Sequence, residues 1–249
     1  MYKVLSTEFL GLSMNKLLVC IGYDSREDIA YEVCRHSIYR RSSLPVEIYP
    51  IKHKELRDQG LFWRPWLTSG SGQTVDCIDG RPYSTEFSHA RFLTPHIAKT
   101  HGFDWALFVD CDFLFLEDIA DLFSLKRKEF AVMCRKFQYF VDSGKKMDGM
   151  VQTSYDKKLW SSLCLWNTNF PYPTVDQVNS KDGAWLHQFQ WLSEHQIGEI
   201  PEEWNWISGT DSNPKAVHFT EGGPWFPAYA KCEYGHLWQK ELDHMENSK

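Results

Sequence analysis

The chain has 249 residues, of which 43% are hydrophobic and 24% are charged, the composition of a globular protein long enough to bury a substantial core. A formal net charge of −6 argues against nucleic acid as the main partner, because binding nucleic acid needs a basic surface. No apolar run approaches the ~20 residues of a transmembrane helix, so we expect at most peripheral contact with a membrane.

The cysteines and the N-terminus both indicate a cytoplasmic protein. The seven cysteines are scattered and odd in number, and no two have the CxxC spacing of a zinc or redox site, a pattern typical of reduced thiols. Residues 1–13 carry one lysine, a broken apolar stretch and no small-residue cleavage site, so they make a poor signal peptide. We interpret residues 1–13 as an N-terminal appendage and residues 14–249 as a single domain.

The N-terminal part of the chain predicts a βαβ unit. LLVCIGY (Leu17–Tyr23) is a continuous apolar run typical of a buried parallel strand. Apolar residues recur at helical spacing over residues 26–42, with Asp24 or Ser25 as the N-cap. VEIYPI (Val46–Ile51) is the next predicted strand. A strand, a helix and a strand at this spacing predict an open α/β sheet.

A loop, a helix and a third strand are predicted next. Residues 67–81 are rich in glycine and serine, and their GxG lacks the third glycine and the preceding strand of a dinucleotide-binding motif. The amphipathic pattern of residues 84–102 predicts a helix. WALFV (Trp105–Val109) predicts a strand that ends directly before Asp110.

The second half of the chain predicts three more strands and one helix, without repeats or a low-complexity linker. The strands are expected at residues 130–135, 160–167 and 215–219, and the helix at residues 182–195. We expect residues 14–130 to form a nucleotide-binding half of the domain and residues 131–249 an acceptor half.

Two aspartates and one histidine are expected near the ends of predicted strands. Asp110 and Asp112 follow the third strand, and His218 lies in the last one. Ligands of open α/β sheets bind beyond the carboxyl ends of strands, and residues i and i+2 of an extended chain point to the same side. Carboxylate and imidazole ligands suit Mn²⁺ or Mg²⁺ better than structural zinc. The alternatives are that the Asp-x-Asp sequence braces a turn and that the histidine belongs to the core.

The order of these segments is similar to that of a known enzyme family. FSHARFLTPHI, followed shortly by LFVDCDFLFLEDIADLF, resembles the core of GT-A nucleotide-sugar glycosyltransferases, in particular family 8, which includes glycogenin and bacterial lipooligosaccharide galactosyltransferases. HFTEGGPW (His218–Trp225) resembles the late motif of that family imperfectly. The segments STEF, EWNW and GGPWFPAY are also similar to bacterial and viral proteins that are grouped with glycosyltransferases. The resemblance covers residues 15–238 and implies a GT-A fold.

The resemblance implies roles for particular residues. Asp110 and Asp112 would bind the metal that bridges the donor's diphosphate, with His218 as the third ligand. Arg91 would contact phosphate or the donor sugar, since its planar guanidinium matches phosphate oxygens. The other implied contacts are with the base and ribose for Tyr23, Asp24 and Ser25, and with the phosphates for Gly222 and Gly223.

Two departures from the family pattern affect the catalytic residues. Gly223 stands where the family has a lysine before Pro-Trp, so either another cation supplies that charge or metal and backbone alone hold the leaving group. The Asp-Gln pair that contacts the donor sugar in the family has no clean match. The candidates near its place are Asp182, His187 and Gln188.

Two tryptophan-rich segments are candidates for acceptor binding. LFWRPW (Leu61–Trp66) and EWNW (Glu203–Trp206) each carry two indole rings. Indole rings either stack on the apolar faces of sugars or close the core beneath a loop, and the sequence leaves both alternatives open.

The leading interpretation is a metal-dependent glycosyltransferase. It would move a sugar from a nucleotide diphosphate donor, UDP-linked by expectation, to a glycan or another hydroxyl acceptor, with retention of configuration. One alternative is a nucleotidyl- or phosphotransfer enzyme, although the chain has no GxxxxGK[ST] phosphate loop. Another is a sugar-nucleotide-binding protein without activity. Glycoside hydrolysis is disfavoured, because Asp110 and Asp112 are too close and too alike to divide acid and nucleophile roles.

Overall fold

The computed structural model describes residues 16–70, 73–138 and 156–248. The N-terminal appendage predicted for residues 1–13 therefore lies outside the described residues. The strands are β1 (Leu17–Gly22), β2 (Val46–Ile51), β3 (Trp66–Thr68), β4 (Thr74–Asp76), β5 (Pro82–Tyr83), β6 (Trp105–Val109), β7 (Phe113–Phe115), β8 (Val132–Cys134), β9 (Leu163–Asn167), β10 (Ile197–Glu199) and β11 (Ala216–His218). The helices are α1 (Asp28–Arg41), α2 (His53–Asp58), α3 (Thr94–Thr100), α4 (Ile119–Ser124), α5 (Val175–Ser180), α6 (Gly183–His187) and α7 (Gly235–Asn247).

A six-stranded, mainly parallel sheet forms the centre of the fold, in the order β10-β8-β9-β6-β1-β2. Strand β1 pairs in parallel with β2 and β6, and β10 pairs in parallel with β8, whereas β9 runs antiparallel to both of its neighbours. All six residues of β1 are buried, because helices and loops cover both faces of the central strands. The predicted βαβ unit and the α/β class are confirmed. No helix among the described residues has both the length and the apolar character needed to span a membrane.

A two-stranded ribbon outside the main sheet carries His218. Strand β11 pairs antiparallel with β7 and places His218 opposite Phe113. The segment 203–206 adds to this ribbon through a parallel bridge between Trp206 and Val217. The sequence correctly predicts β11 as a strand, and the structure shows that this strand lies outside the main sheet. The short turn between β6 and β7 therefore faces the end of β11.

The segment predicted as a glycine- and serine-rich loop contains β3 and β4, which form a small antiparallel sheet with β5. The side chain of Arg64 anchors this sheet. It is 2% exposed, binds both carboxylate oxygens of Asp76, and donates to the backbone carbonyls of Val178 and Lys181. Since four of its five N–H donors are bound within the protein and its side chain is buried, this arginine is part of the core.

Two predicted helices are shorter than expected. In the segment 84–102, a 3-10 turn over Ala90–Leu93 leads into α3, which has Pro95 in its first turn, where the missing N–H has no consequence. In the segment 182–195, α6 ends at His187, and Phe189 adopts a left-handed conformation with φ of 53°. The left-handed residue interrupts the helical hydrogen bonds and turns the chain back.

Candidate metal centre

Three side chains with oxygen or nitrogen ligands meet at the carboxyl end of β6. One ligand atom each from Asp110, Asp112 and His218 lies within 4.8 Å of the others. The side chains are buried, with 8%, 6% and 2% of the residue exposed. The predicted convergence of these three residues is thus present in the structure.

The two aspartates lie in a turn and not in the extended segment that the sequence predicts, and backbone hydrogen bonds fix each of them. Residues 110–112 form the turn between β6 and β7, so the expectation of an extended segment is wrong. The N–H of Asp110 donates to the carbonyl of Ser162, and the carbonyl of Asp112 accepts from the N–H of Phe219. These bonds attach one aspartate to the segment before β9 and the other to the end of β11.

The chemistry around His218 fits a divalent cation. Its ring stacks on Phe113 with centroids 4.3 Å apart, and Nδ1 lies 2.9 Å from Oδ1 of Asn205. Nε2 lies 3.3 Å from Oδ1 of Asp112. Two buried carboxylates beside an imidazole concentrate negative charge and lone pairs, an arrangement that Mn²⁺ or Mg²⁺ would stabilise. These residues would hold such an ion.

Arg91 lies behind Asp110. Its Nη1 lies 2.9 Å from Oδ1 of Asp110 and donates to the carbonyl of Ser161, while Nε donates to the carbonyl of Ser88. Arg91 is 7% exposed. The planar guanidinium therefore orients Asp110 in the described structure, and its expected contact with phosphate stays a prediction.

A cavity of about 120 Å³ extends from Asp110. Its wall includes Arg91, Lys158 and His187. Nδ1 of His187 lies 2.9 Å from the hydroxyl of Ser161, and burial lowers the pKa of His187 well below its usual value. The other residues that line the cavity include Ser84, Thr85, Ser88, His89, Ser162 and Gly183.

Of the three catalytic candidates, only His187 lines this cavity. Asp182 is exposed, and its carboxylate accepts from the N–H of Trp185 as the N-cap of α6. Oε1 of Gln188 accepts from the side chain of Gln190. Among the residues that sequence reasoning missed is Lys158, which follows a segment without recognisable periodicity.

The residues expected to face the base and ribose follow β1. Asp24 is fully buried, and its carboxylate accepts from the backbone and guanidinium of Arg26 and from the N–H of Glu86. The hydroxyl of Tyr23 donates to Asp28, which raises the pKa of Tyr23 to about 12. Tyr23 is half-buried and Ser25 is exposed, so these two side chains are accessible to a ligand, whereas Asp24 holds the turn together.

Gly222 and Gly223 are required for aromatic packing. Gly222 has a φ of 131°, and a Cβ on it would lie 2.7 Å from the ring of Tyr229. A Cβ on Gly223 would lie 2.0 Å from the ring of Trp225. Their expected approach to phosphate stays a prediction beside this structural role.

The tryptophans of EWNW belong to the core. Trp204 and Trp206 are 1% and 3% exposed, so of the two alternatives that the sequence left open, the structure favours packing in the core for both rings. Trp63 is 49% exposed, whereas Trp66 packs against the guanidinium of Arg57 at 4.0 Å. Trp63 is thus the remaining candidate for an acceptor contact.

Comparison with known proteins identifies the family. No family model matches the chain. Protein CDI of Arabidopsis thaliana is 46% identical over 244 residues, a match that covers 93% of this chain and 88% of that protein. The chain belongs to the family of Protein CDI.

Solved structures similar to this Protein CDI family member are glycosyltransferases. The bifunctional glycosyltransferase WbbM matches 93% of this chain with a TM-score of 0.56 and 14% identity, and GlyE of Streptococcus pneumoniae matches 94% with a TM-score of 0.56 and 15% identity. The chain spans 50% and 63% of the lengths of these two structures. The galactosyltransferase LgtC matches 92% of this chain and 96% of its own with a TM-score of 0.52 and 10% identity. The fold is therefore the GT-A glycosyltransferase fold.

Proposed function

We propose that this protein is a metal-dependent glycosyltransferase. It moves a sugar from a nucleotide diphosphate donor, UDP-linked by preference, to a hydroxyl group of a glycan or a small acceptor, with retention of configuration. The observation that carries the proposal is the meeting of Asp110, Asp112 and His218 at the carboxyl end of β6. In an open α/β sheet this edge is where ligands bind. The seven free cysteines support a cytoplasmic location as part of the proposal.

The metal centre has one function in this scheme. Asp110, Asp112 and His218 would hold Mn²⁺ or Mg²⁺, which would supply Lewis-acid stabilisation of the charge on the donor's diphosphate leaving group. Arg91 keeps Asp110 in a fixed orientation through their 2.9 Å ion pair. Fixed ligands matter because a preorganised site does not have to rearrange during the reaction.

The cavity beside Asp110 is the place for the transferred sugar. It is lined by hydroxyl, imidazole and ammonium groups that can hydrogen-bond sugar hydroxyls. The lowered pKa of His187 keeps its imidazole neutral near pH 7, so one ring nitrogen can accept and the other can donate. Tyr23 and Ser25, which follow β1, are accessible to the base and ribose.

A donor hydrolysis assay tests the proposal. The purified protein is incubated with UDP-, GDP-, ADP- and CMP-linked sugars, with Mn²⁺ or with EDTA, and the released nucleotide and sugar are measured. We expect slow release for one donor, only with metal, and none with Asp112→Asn. Release of the same anomer, followed by NMR, would support retention.

The alternatives give different results in this assay. Release of pyrophosphate from a nucleoside triphosphate, without sugar release from any donor, would support nucleotidyl transfer. Metal-dependent nucleotide binding without turnover in the presence of a panel of glycan acceptors would support a binding protein without activity. Either result would contradict the proposed transferase.

A further inference from the structure

We propose that Asn205 is a positioning residue of the metal centre, which fixes the tautomer of His218 so that the lone pair of Nε2 points to Asp112 and the cation. Asn205 lies in the EWNW segment, whose tryptophans belong to the core. The inference rests on the proposed metal-dependent function for its purpose, but its first test requires no metal.

A chain of hydrogen bonds determines the direction of each donor. The carbonyl of Leu159 can only accept, so the hydroxyl of Ser162, 2.7 Å away, donates to it. The Ser162 oxygen then accepts from the side-chain NH₂ of Asn205 at 3.0 Å. The amide oxygen of Asn205 is consequently the atom that faces Nδ1 of His218 at 2.9 Å. Because this oxygen only accepts, Nδ1 carries the hydrogen and Nε2 of the neutral ring carries the lone pair.

The backbone around Asn205 is fixed to the ribbon that carries His218. The N–H of Trp206 donates to the carbonyl of Ala216, and the carbonyl of Trp206 accepts from the N–H of His218. Nη1 of Arg135 donates to the carbonyl of Asn205 at 2.8 Å. Asn205 itself is 0% exposed, so water does not compete for its amide. The backbone that carries the side-chain amide of Asn205 is therefore held in place by these hydrogen bonds.

The fixed tautomer has a consequence for the cation. Nε2 of His218 and Oδ1 of Asp112 lie 3.3 Å apart, and in this tautomer both atoms present lone pairs. Two acceptors at that distance repel each other, whereas a cation between them binds both. Without Asn205, the ring would place its hydrogen on Nε2 and donate to Asp112. That hydrogen bond between His218 and Asp112 would occupy the lone pairs that the metal needs, and it would therefore compete with metal binding.

The same hydrogen bonds connect two of the ligands. Ser162, which receives the amide of Asn205, also provides the carbonyl that accepts from the N–H of Asp110. Asn205 and Ser162 thus join the ribbon with His218 to the end of β6 with Asp110. Partners that orient the ligands in this way usually matter for metal affinity.

NMR of ¹⁵N-histidine-labelled, metal-free protein at pH 8 tests the tautomer directly, with His218→Gln to assign the signal. We expect the hydrogen of the wild-type ring on Nδ1, and we expect it to move to Nε2 in Asn205→Ala. A hydrogen on Nε2 in the wild type would overturn the inference, whatever the enzyme does.

Titration with Mn²⁺ alone, followed by the EPR signal of free Mn²⁺, tests the consequence. Asn205→Ala should weaken Mn²⁺ binding about 10- to 100-fold, whereas Asn205→Asp, which keeps an acceptor for Nδ1, should stay within about threefold of the wild type. Asn179→Ala is the matched control. Asn179 is also buried (2% exposed), and its side chain makes three hydrogen bonds, none of them to a residue of the metal centre. This substitution should lower the melting temperature without changing the Mn²⁺ affinity.

The outcomes separate the inference from the proposed function. If the wild type binds Mn²⁺ and a folded Asn205→Ala protein binds it equally well, the inference is wrong and the proposed function stands. If the wild type binds neither Mn²⁺ nor Mg²⁺ but carries the hydrogen on Nδ1, the proposed metal-dependent function fails while the assigned tautomer holds.

Discussion

The guanidinium of Arg91 lies 2.9 Å from Oδ1 of Asp110, the first residue after β6, and both residues are buried. The same guanidinium donates to the carbonyls of Ser88 and Ser161. One planar group thus connects the segment before α3, the segment before β9 and a candidate metal ligand. Because these bonds have fixed directions, the position of Asp110 depends on the shape of Arg91 as well as on its charge.

Arg91→Lys should fold but lose activity. A lysine keeps the charge, but its single ammonium cannot reach Asp110 and both carbonyls in the same geometry. We expect turnover of the donor to fall by about 100-fold at saturating Mn²⁺, since small displacements of reacting groups have effects of that size. Steady-state kinetics measures this effect, and circular dichroism checks the fold. Wild-type turnover in this variant would show that the ion pair does not position Asp110 for the reaction.

Asp112→Asn should abolish the stabilisation that nucleotide and metal provide together. A ligand at 100 times its Kd stabilises a protein by about 2.7 kcal/mol, and this variant removes one charged ligand of the cation. Differential scanning calorimetry with UDP, with and without Mn²⁺, measures the effect. Asp118→Asn is the control, because Asp118 is the N-cap of α4 and asparagine caps helices equally well. An unchanged metal-dependent shift in Asp112→Asn would exclude Asp112 as a ligand.

The sequence predicted five of the six strands of the main sheet, all but β10, and it predicted that the three candidate ligands meet. Physical reasons explain where it failed. Continuous apolar runs such as Leu17–Gly22 identify buried parallel strands, because such strands are covered on both faces and neither face meets water. The helix predicted over residues 84–102 is shorter in the structure. The buried residues before α3 belong to turns, and burial of these turns produces a pattern that resembles a helix in the sequence. Asn205 and Lys158 carry no local signal, because their environments depend on contacts distant in sequence.

Glu241→Gln should remove a pH-dependent part of the stability. Burial alone would raise the pKa of Glu241, but hydrogen bonds from Arg40 and Arg41 on α1, with a further one from His36, outweigh it and lower the pKa to about 2. Since the folded pKa is below the ordinary value of 4.5, this contribution is complete above about pH 4.5 and is lost as the pH falls towards 2.

Urea unfolding between pH 2 and pH 7 measures this contribution. The wild type should lose about 3 kcal/mol across that window through this group, as follows from the size of the pKa shift, and Glu241→Gln should lack this dependence. Glu246→Gln, on an exposed face of the same helix, should behave as the wild type. Identical pH profiles for the wild type and Glu241→Gln would refute the role of this cluster in holding α7 on α1.

Gly22→Ala should destabilise the fold at the end of β1. A Cβ on Gly22 would lie 2.4 Å from the ring of Phe87, which is 1% exposed. We expect a loss of about 1 to 3 kcal/mol, the usual cost of overpacking a core. Gly70→Ala is the control, because nothing lies within 4 Å of its Cβ position. Chemical denaturation of both variants measures the difference, and equal stabilities would contradict the close packing of Phe87.

The most direct test of the central claim is to locate the metal in crystals grown with Mn²⁺ and UDP, by anomalous scattering of Mn²⁺. The account predicts one strong peak within coordination distance of the carboxylates of Asp110 and Asp112 and of Nε2 of His218. A well-ordered crystal with UDP bound and no peak among these three side chains, or with the peak elsewhere, would contradict it.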